Sequence, residues 1–386
     1  MSFLRKLSTA TRRRERILIG GVSVVKGDAL SELVPTKYFN VLPTEIVFHL
    51  RWLAQKYNLG QDVFLCGHPG PLRRQLIMTF ANLCGFEVEY ISCSRDTTES
   101  DLKQRREIWG KSVYFHDQPP IRAILNGRLL VLDGIEYAER NVLPTLNNLL
   151  ENREISLEDG RFITSISTIN SIQKTSSTNL VAAHPNFRVI ALGRSVPPYS
   201  GQPMDPPLRS RLQSHFVDEL QSETLLDLFA NDIIQVHDND RVQRLLSFYE
   251  SLRAIRNSLL LSPSDSTPSP SSSSSSLLLP IFSIDSFGHC LSLLKENPLM
   301  PASIAVERCI PAVSWMNNGL PTRTKNAIAD AFQSLRRGED NEKFYLTDKY
   351  PDLLSRKLLP NQLKLFSQIS LDYKSGKHIC ILGPKV

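Results

Sequence analysis

Residues 62–76 read DVFLCGHPGPLRRQL: an apolar, β-prone run from Val63 to Cys66, a turn rich in Gly and Pro, then a stretch of helical character from Arg73 to Phe80. Strand, glycine turn and helix in that order make a phosphate-binding loop. In its G-x-x-x-x-G-K-[ST] form, backbone N–H groups cradle the phosphates, the Lys reaches the outer ones and the hydroxyl ligates Mg²⁺. Gly67 takes the first position, and His68, Pro69, Gly70 and Pro71 fill the variable ones. Leu72, Arg73 and Arg74 stand where Gly, Lys and Ser/Thr belong. The frame of the loop is present and its chemical end is changed.

Such a loop works with an acid on a neighbouring strand, which holds Mg²⁺ and orients water. RLLVLDGIE, starting at Arg128, supplies Asp133 after four apolar residues and Glu136 three further on. A second acid directly after the first would polarise the attacking water. Gly134 occupies that place, so Glu136 is a displaced candidate for the role. The other reading of Asp133 is a helix cap at a strand end. Arg194, just past a further strand, stands where a polar group would sense the γ-phosphate. Arg209 and Arg211, in PPLRSRLQ, stand where an arginine would reach a neighbouring subunit's nucleotide. Each arginine alone would be a solvated surface residue; their order along the chain singles them out.

The elements that must position these residues are legible as alternating strands and helices. TEIVFHLRWLAQKYN (Thr44 to Asn58) spaces Ile46, Val47, Leu50 and Leu53 as one helical face. After the strand at Val63, strand-like runs follow at Glu87 to Cys93, Arg128 to Asp133, Phe187 to Gly193 and Ser214 to Leu220. Helix-compatible stretches lie between them at Thr97 to Trp109 and Arg140 to Asn152. The pattern predicts an α/β core, a parallel sheet flanked by helices, over residues 21–221. From 222 to 345 the character turns helical, as a smaller appended domain. Its Ser/Pro-rich insertion at 262–276 cannot bury enough apolar surface to offset its ordering entropy and reads as mobile.

LAQKYNLGQDVFLCGHPG and ISLDYKSGKHICILGPKV align without gaps, matching Tyr57, Gly60 and Gly67 to Tyr373, Gly376 and Gly383. Residues 346–386 therefore read as a linker and the truncated start of a second module. Chance similarity between two helix–strand segments is the alternative.

At 386 residues and 41% hydrophobic content the chain can fill two or three domains. Five of its six net positive charges fall in the first twenty residues, leaving +1 for the rest. That balance argues against a nucleic-acid-binding surface on the folded body. Residues 1–20, basic, rich in Ser and Thr and nearly free of acids, fit a mitochondrial transit peptide, with a basic tail as the alternative. The six cysteines lie far apart without a C-x-x-C pair and read as reduced core residues. No apolar run reaches the roughly 20 residues of a membrane helix.

The succession of the altered loop, SRDTTESDLKQRREI, LDGIEYAERNVLPTLNNLLENREISLEDGRF, FRVIALG and MDPPLRSR resembles the dynein-related and midasin-like AAA+ ATPases over most of Val34 to Leu220. The resemblance implies a P-loop NTPase (AAA+) fold with a helical lid, rings of modules, ATP and Mg²⁺ as cofactors, and hydrolysis coupled to remodelling of protein partners. It also implies that the chain is an amino-terminal fragment or a truncated gene model. Carried onto this chain, Gly67 and Gly70 still offer backbone N–H groups and Arg73 can meet a phosphate with two parallel hydrogen bonds. Arg74 cannot ligate Mg²⁺, because guanidinium has no lone pair to donate. Leu72 adds a side chain where the backbone must approach closely. Weak nucleotide binding with impaired hydrolysis is the expectation; a P-loop fold that has lost nucleotide and serves as a structural or interaction module is the alternative.

Overall fold

The computed structural model describes residues 15–27, 31–139, 141–172, 179–196, 199–236, 238–261, 280–310, 322–337, 369–370 and 373. The leader up to residue 14, the Ser/Pro stretch 262–276 and all but three residues of 346–386 lie outside them.

The first element is an antiparallel hairpin of β1 (Arg16–Ile19) and β2 (Val22–Val25), turned by Gly20 and Gly21 at φ 52° and 85°. The segment expected as leader thus ends in a strand: Ile19 is buried, as is Val24, the register partner of Ile17, which ties residues 16–19 to the folded body. Next come α1 (Thr44–Asn58), with Ile46, Leu50 and Leu53 buried at helical spacing, and β3 (Val63–Gly67). α2 (Leu72–Cys84) closes on Gly85 at φ 66°, where the Phe86 N–H returns to the Ala81 carbonyl, a left-handed stop open to glycine.

After β4 (Val88–Ser92), the helix expected from Thr97 to Trp109 lasts one turn. α3 covers Glu99–Leu102, and Gln104–Trp109 is β5, antiparallel to β6 (Ser112–Asp117). The physical reason is that this stretch has no apolar face to bury: Ile108 and Trp109 are 71% and 81% exposed, and Gly110 at φ 62° supplies the turn of a hairpin. The buried Gln104 anchors its base, donating to Asp117 (2.7 Å) and Asp159 (2.8 Å).

α4 (Pro119–Asn126) and β7 (Leu129–Asp133) follow. The helix expected over Arg140 to Asn152 is shorter too: a 3₁₀ turn at Leu143–Leu146, with Pro144 inside it, precedes α5 (Asn147–Glu151). The Pro ring removes an N–H donor and favours a first-turn position. A small three-stranded sheet of β8 (Ile155–Ser156), β9 (Phe162–Thr164) and β10 (Leu180–Ala182), with α6 (Ile166–Ile172), leads into β11 (Arg188–Arg194), α7 (Pro206–Arg211) and β12 (Gln213–Val217).

The central sheet runs β12-β3-β11-β7-β4, every neighbour parallel. Its three inner strands, β3, β11 and β7, carry near-continuous apolar runs, as strands covered on both faces do, while the edge strands β12 and β4 are interrupted by polar residues. On one face, Leu130 and Leu132 pack with Ile121, Ile124, Leu149 and Phe187 in one buried cluster. Register then sets the working edge: Gly67 lies opposite both Arg194 and Val217, and Asp133 lies opposite Leu192 and Ser92. The strands' carboxyl ends thus bring the loop, the acid and Arg194 to one rim, where parallel sheets place their ligands. Asp62, buried at the start of β3, accepts from the Val189 N–H (2.8 Å) and from Arg153 Nη1 and Nη2 (2.7 and 3.1 Å).

The chain divides into two compact units after Glu219. In the second are α8 (Ser222–Leu228), α9 (Ala230–Val236), α10 (Asn239–Leu261), α11 (Ile284–Glu296), α12 (Ala302–Cys309) and α13 (Thr322–Arg336). Phe248 centres their core, meeting Phe332 edge-on at 4.8 Å and Phe282 at 5.6 Å between ring centroids. α12 has no counterpart in the sequence reading, since its buried positions Ala302 to Val306 are consecutive and show no helical period. Among the described residues no helix is long and apolar enough to cross a membrane.

Candidate functional site

β3 delivers Gly67 to the rim, and only glycine fits: a Cβ there would come 2.1 Å from the Val217 carbonyl oxygen. Gly70 follows at φ 139°, and α2 begins at Leu72. No side chain caps this helix and no acid lies in its first turn, so its leading N–H groups and the positive end of its dipole face the loop. Pro69 and Pro71 carry no N–H, so the turn holds fewer donors than its length suggests. That subtraction was readable from the sequence.

His68 is pinned on both sides. Its Nδ1 lies 2.8 Å from the Tyr199 hydroxyl and its Nε2 3.2 Å from an Asp218 carboxylate oxygen. Arg73 does not project into solvent: it is 8% exposed, and its Nη1 donates to the His68 carbonyl at 2.7 Å. Its Nε is buried with no hydrogen-bond partner. Burial pulls the guanidinium below the usual arginine range, while Glu136 and Asp133 act in the opposite sense.

Arg74, half exposed, places Nη1 3.9 Å from Asp133 Oδ2, and the Tyr90 hydroxyl donates to the same oxygen at 2.5 Å. Tyr90 first and Asp133 after it hold Arg74 charged, and burial, with the bond to Asp133, pushes the Tyr90 phenol up to about 12. Tyr90 was missed from the sequence; a tyrosine inside an apolar strand was its only signal.

Gly134 sits at φ 77°, where a side chain is strained and a Cβ would meet the Tyr137 ring at 3.1 Å. It opens a 3₁₀ turn (Ile135–Tyr137) that carries Glu136 away from Asp133 and into the protein. Glu136 is 4% exposed, with Oε1 3.3 Å from Arg194 Nε and Oε2 buried without a partner. Burial raises its pKa, opposed by hydrogen bonding to backbone N–H groups and by the charges of Arg194 and Arg73. Arg194 lies over the Tyr137 ring at 4.8 Å. Glu136, Arg194 and Arg209 line one cavity of about 260 Å³, with Phe64, Cys66 and Met204 among its walls. Arg211 stands elsewhere, paired with Glu151 and donating to the Pro207 carbonyl. The structure therefore groups Gly67 to Arg74 with Asp133, groups Glu136 with Arg194 and Arg209, and holds Arg211 apart on its own ion pair.

A nucleotide's phosphates fit the loop's chemistry, through the uncapped start of α2 and the unpartnered Arg73 Nε. Mg²⁺ does not fit: residues 67–74 contain no hydroxyl, Asp133 Oδ2 already faces the Tyr90 hydroxyl and the Arg74 guanidinium, and Glu136 is buried against Arg194.

A parallel five-stranded sheet with a glycine loop after β3 and an acid ending β7 is the architecture of a P-loop NTPase of the AAA class, and residues 62–212 match the family described as AAA domain (dynein-related subfamily). The chain carries a dynein-related AAA domain. Over 312 residues, 79% of this chain, it is 46% identical to von Willebrand factor A domain-containing protein 8 of Mus musculus; the match spans 15% of that protein's length. Uncharacterized proteins of Staphylococcus saprophyticus and Staphylococcus haemolyticus are similar at 27% identity over 203 residues and 25% over 205, about half of this chain and 70% and 71% of theirs.

Proposed function

We propose that the first unit binds a nucleoside triphosphate, ATP by family, at the Gly67–Arg74 loop, and that its own hydrolysis is slow or absent. The observation that carries this is the pairing of Asp133 with Tyr90 and Arg74 beneath an otherwise open helix start. The loop keeps what holds phosphates, and the acid that would organise hydrolysis already faces a hydroxyl and a guanidinium. In this reading the module works in a ring of AAA modules, on neighbours of its own chain or on other subunits, where hydrolysis elsewhere remodels a protein partner. The basic, acid-poor leader supports mitochondrial import as the destination.

The test is displacement of a fluorescent ATP analogue from the full chain by unlabelled ATP, with phosphate release followed in parallel. Saturable displacement with little turnover is expected. Failure of ATP to displace the analogue would favour the other reading, a P-loop fold kept as a docking platform, which the folding of Arg73 onto the His68 carbonyl also supports. Rapid turnover lost in Asp133→Ala would overturn the claim of impaired hydrolysis.

A further inference from the structure

We infer that this site takes its triphosphate without a divalent cation, with the Arg74 guanidinium supplying the counter-charge; the inference rests on the nucleotide-binding reading above.

A hard cation such as Mg²⁺ demands six oxygens in near-octahedral array, some from water and phosphate and the rest from the protein. The hydroxyl that would stand at the start of α2 is replaced by Arg74, which is a donor throughout and offers no lone pair. Its Nη1 stands 3.9 Å from Asp133 Oδ2, so a positive charge already faces the carboxylate a metal would use. The Tyr90 hydroxyl points a donor at that same oxygen, which leaves it less able to coordinate. A cation entering here would have to displace Arg74 from Asp133 and then lie beside two guanidinium groups.

For the triphosphate the same features are favourable. Arg74 is 47% exposed, so its guanidinium is accessible to a ligand. Arg73 is fixed inside the loop, with its Nη1 3.4 Å from where a Gly67 Cβ would stand and its Nε lacking an acceptor. A phosphate oxygen provides such an acceptor, and guanidinium–phosphate bonds are among the stronger hydrogen bonds. Two arginines and an uncapped helix start suit the fully ionised phosphate chain better than one whose oxygens are already held by Mg²⁺.

The experiment is ATP titration of the full chain by calorimetry, once in EDTA and once in millimolar Mg²⁺, for the unmodified protein, Arg74→Thr and Arg74→Lys, with matched thermal melts as a check on folding. For the unmodified chain the two affinities should agree within about threefold. Arg74→Thr should lose about tenfold or more in EDTA, the worth of a charge-assisted hydrogen bond, and regain part of it on adding Mg²⁺. Arg74→Lys should retain binding in EDTA, because it keeps the charge. An affinity that rises about tenfold or more with Mg²⁺ in the unmodified chain would overturn the inference while leaving nucleotide binding intact. So would Arg74→Thr binding as tightly as the unmodified chain in EDTA. Absence of ATP binding under both conditions removes the nucleotide-binding reading, and this inference with it.

Discussion

Arg194 Nε stands 3.3 Å from Glu136 Oε1, the side-chain ion pair of a carboxylate that is 4% exposed, whose second oxygen has no partner, and which backbone N–H groups and the charge of Arg73 also support. Burial raises the Glu136 pKa, so the folded state holds its proton more tightly than the unfolded chain does. A raised folded pKa gives stability that is fully present below the unfolded value of 4.5 and is lost as pH rises through the folded one. Arg194→Ala should cost about 3 kcal/mol near neutrality, by removing the ion-pair partner of a buried carboxylate, and less at pH near 4. Glu136→Gln should flatten the pH dependence above 4.5. Urea midpoints at acidic and neutral pH check both; equal losses for Arg194→Ala at the two would contradict the assignment.

The pair formed by His49 and His215 has the opposite sign. His49 Nδ1 lies 2.8 Å from His215 Nε2, with the Trp52 ring stacked on His215 at 4.4 Å and the Asp218 carboxylate acting from the end of β12. Burial first, and His215 second, lower the His49 pKa to about 4; burial lowers that of His215 as well. The neutral rings are the folded form, so their stability is present above 6.5 and is lost as pH falls from there toward 4. The His49 contribution is at most about 3 kcal/mol. His49→Gln should remove most of the slope across that window while His215 retains a smaller one. Denaturant midpoints between pH 7.5 and about 4.5 measure it.

Which parts of this molecule were legible follows from where each residue finds its partners. The three inner sheet strands could be read because a buried parallel strand carries an unbroken apolar run, as in Leu129 to Leu132, while the edge strands β4 and β12 show shorter, polar-interrupted ones. The β5–β6 hairpin could not: Gln104 to Trp109 carries too few buried residues to show a period, and its shape comes from Gly110 and the anchoring of Gln104 by Asp117 and Asp159. At the site, the residue types of the loop were visible and their directions were not. Arg73 turns back onto the His68 carbonyl near the start of its own loop, and His68 is set by Tyr199 and Asp218, more than 100 positions along the chain. Glu136 illustrates the limit: three residues of spacing from Asp133 suggested a displaced partner, while the left-handed Gly134 swings it toward Arg194.

Asp62 and Arg153 form a structural lock that sequence chemistry does not suggest. Arg153 is held at φ 60°, a conformation that strains residues other than glycine, and its bidentate bond to the buried Asp62 keeps it there. Asp62 also accepts from the Val189 N–H, tying the starts of β3 and β11. Asp62→Ala should therefore cost about 3–5 kcal/mol, by stranding both a partly buried guanidinium and a backbone donor. Arg153→Gly should cost less, because the backbone strain is relieved as the ion pair is lost. Chemical denaturation of the two variants ranks them; a larger loss for Arg153→Gly would show that its packing over the Phe187 ring, 5.2 Å away, dominates.

Restoring hydrolysis would take more than rewriting the loop. Leu72→Gly, Arg73→Lys and Arg74→Thr together return the pattern that cradles phosphate and ligates Mg²⁺, and they free Asp133 from Arg74. They leave no carboxylate beside Asp133, and Gly134→Glu cannot simply supply one. At φ 77° a side chain costs about 1–3 kcal/mol, and its Cβ would press on the Tyr137 ring at 3.1 Å. The triple variant should thus bind MgATP more tightly than the unmodified chain yet turn over slowly, since a missing catalytic group typically costs about 10²–10³ in rate. Adding Gly134→Glu should lower the melting temperature and restore turnover only if the strand end relaxes, for which Tyr137→Ala is the partner substitution. Steady-state phosphate release and MgATP affinity for the three variants, at matched oligomeric state, separate binding from chemistry. Fast turnover by the triple variant alone would mean that water is oriented by a group other than a residue at position 134, with Glu136, released from Arg194, as the first to test by Glu136→Gln.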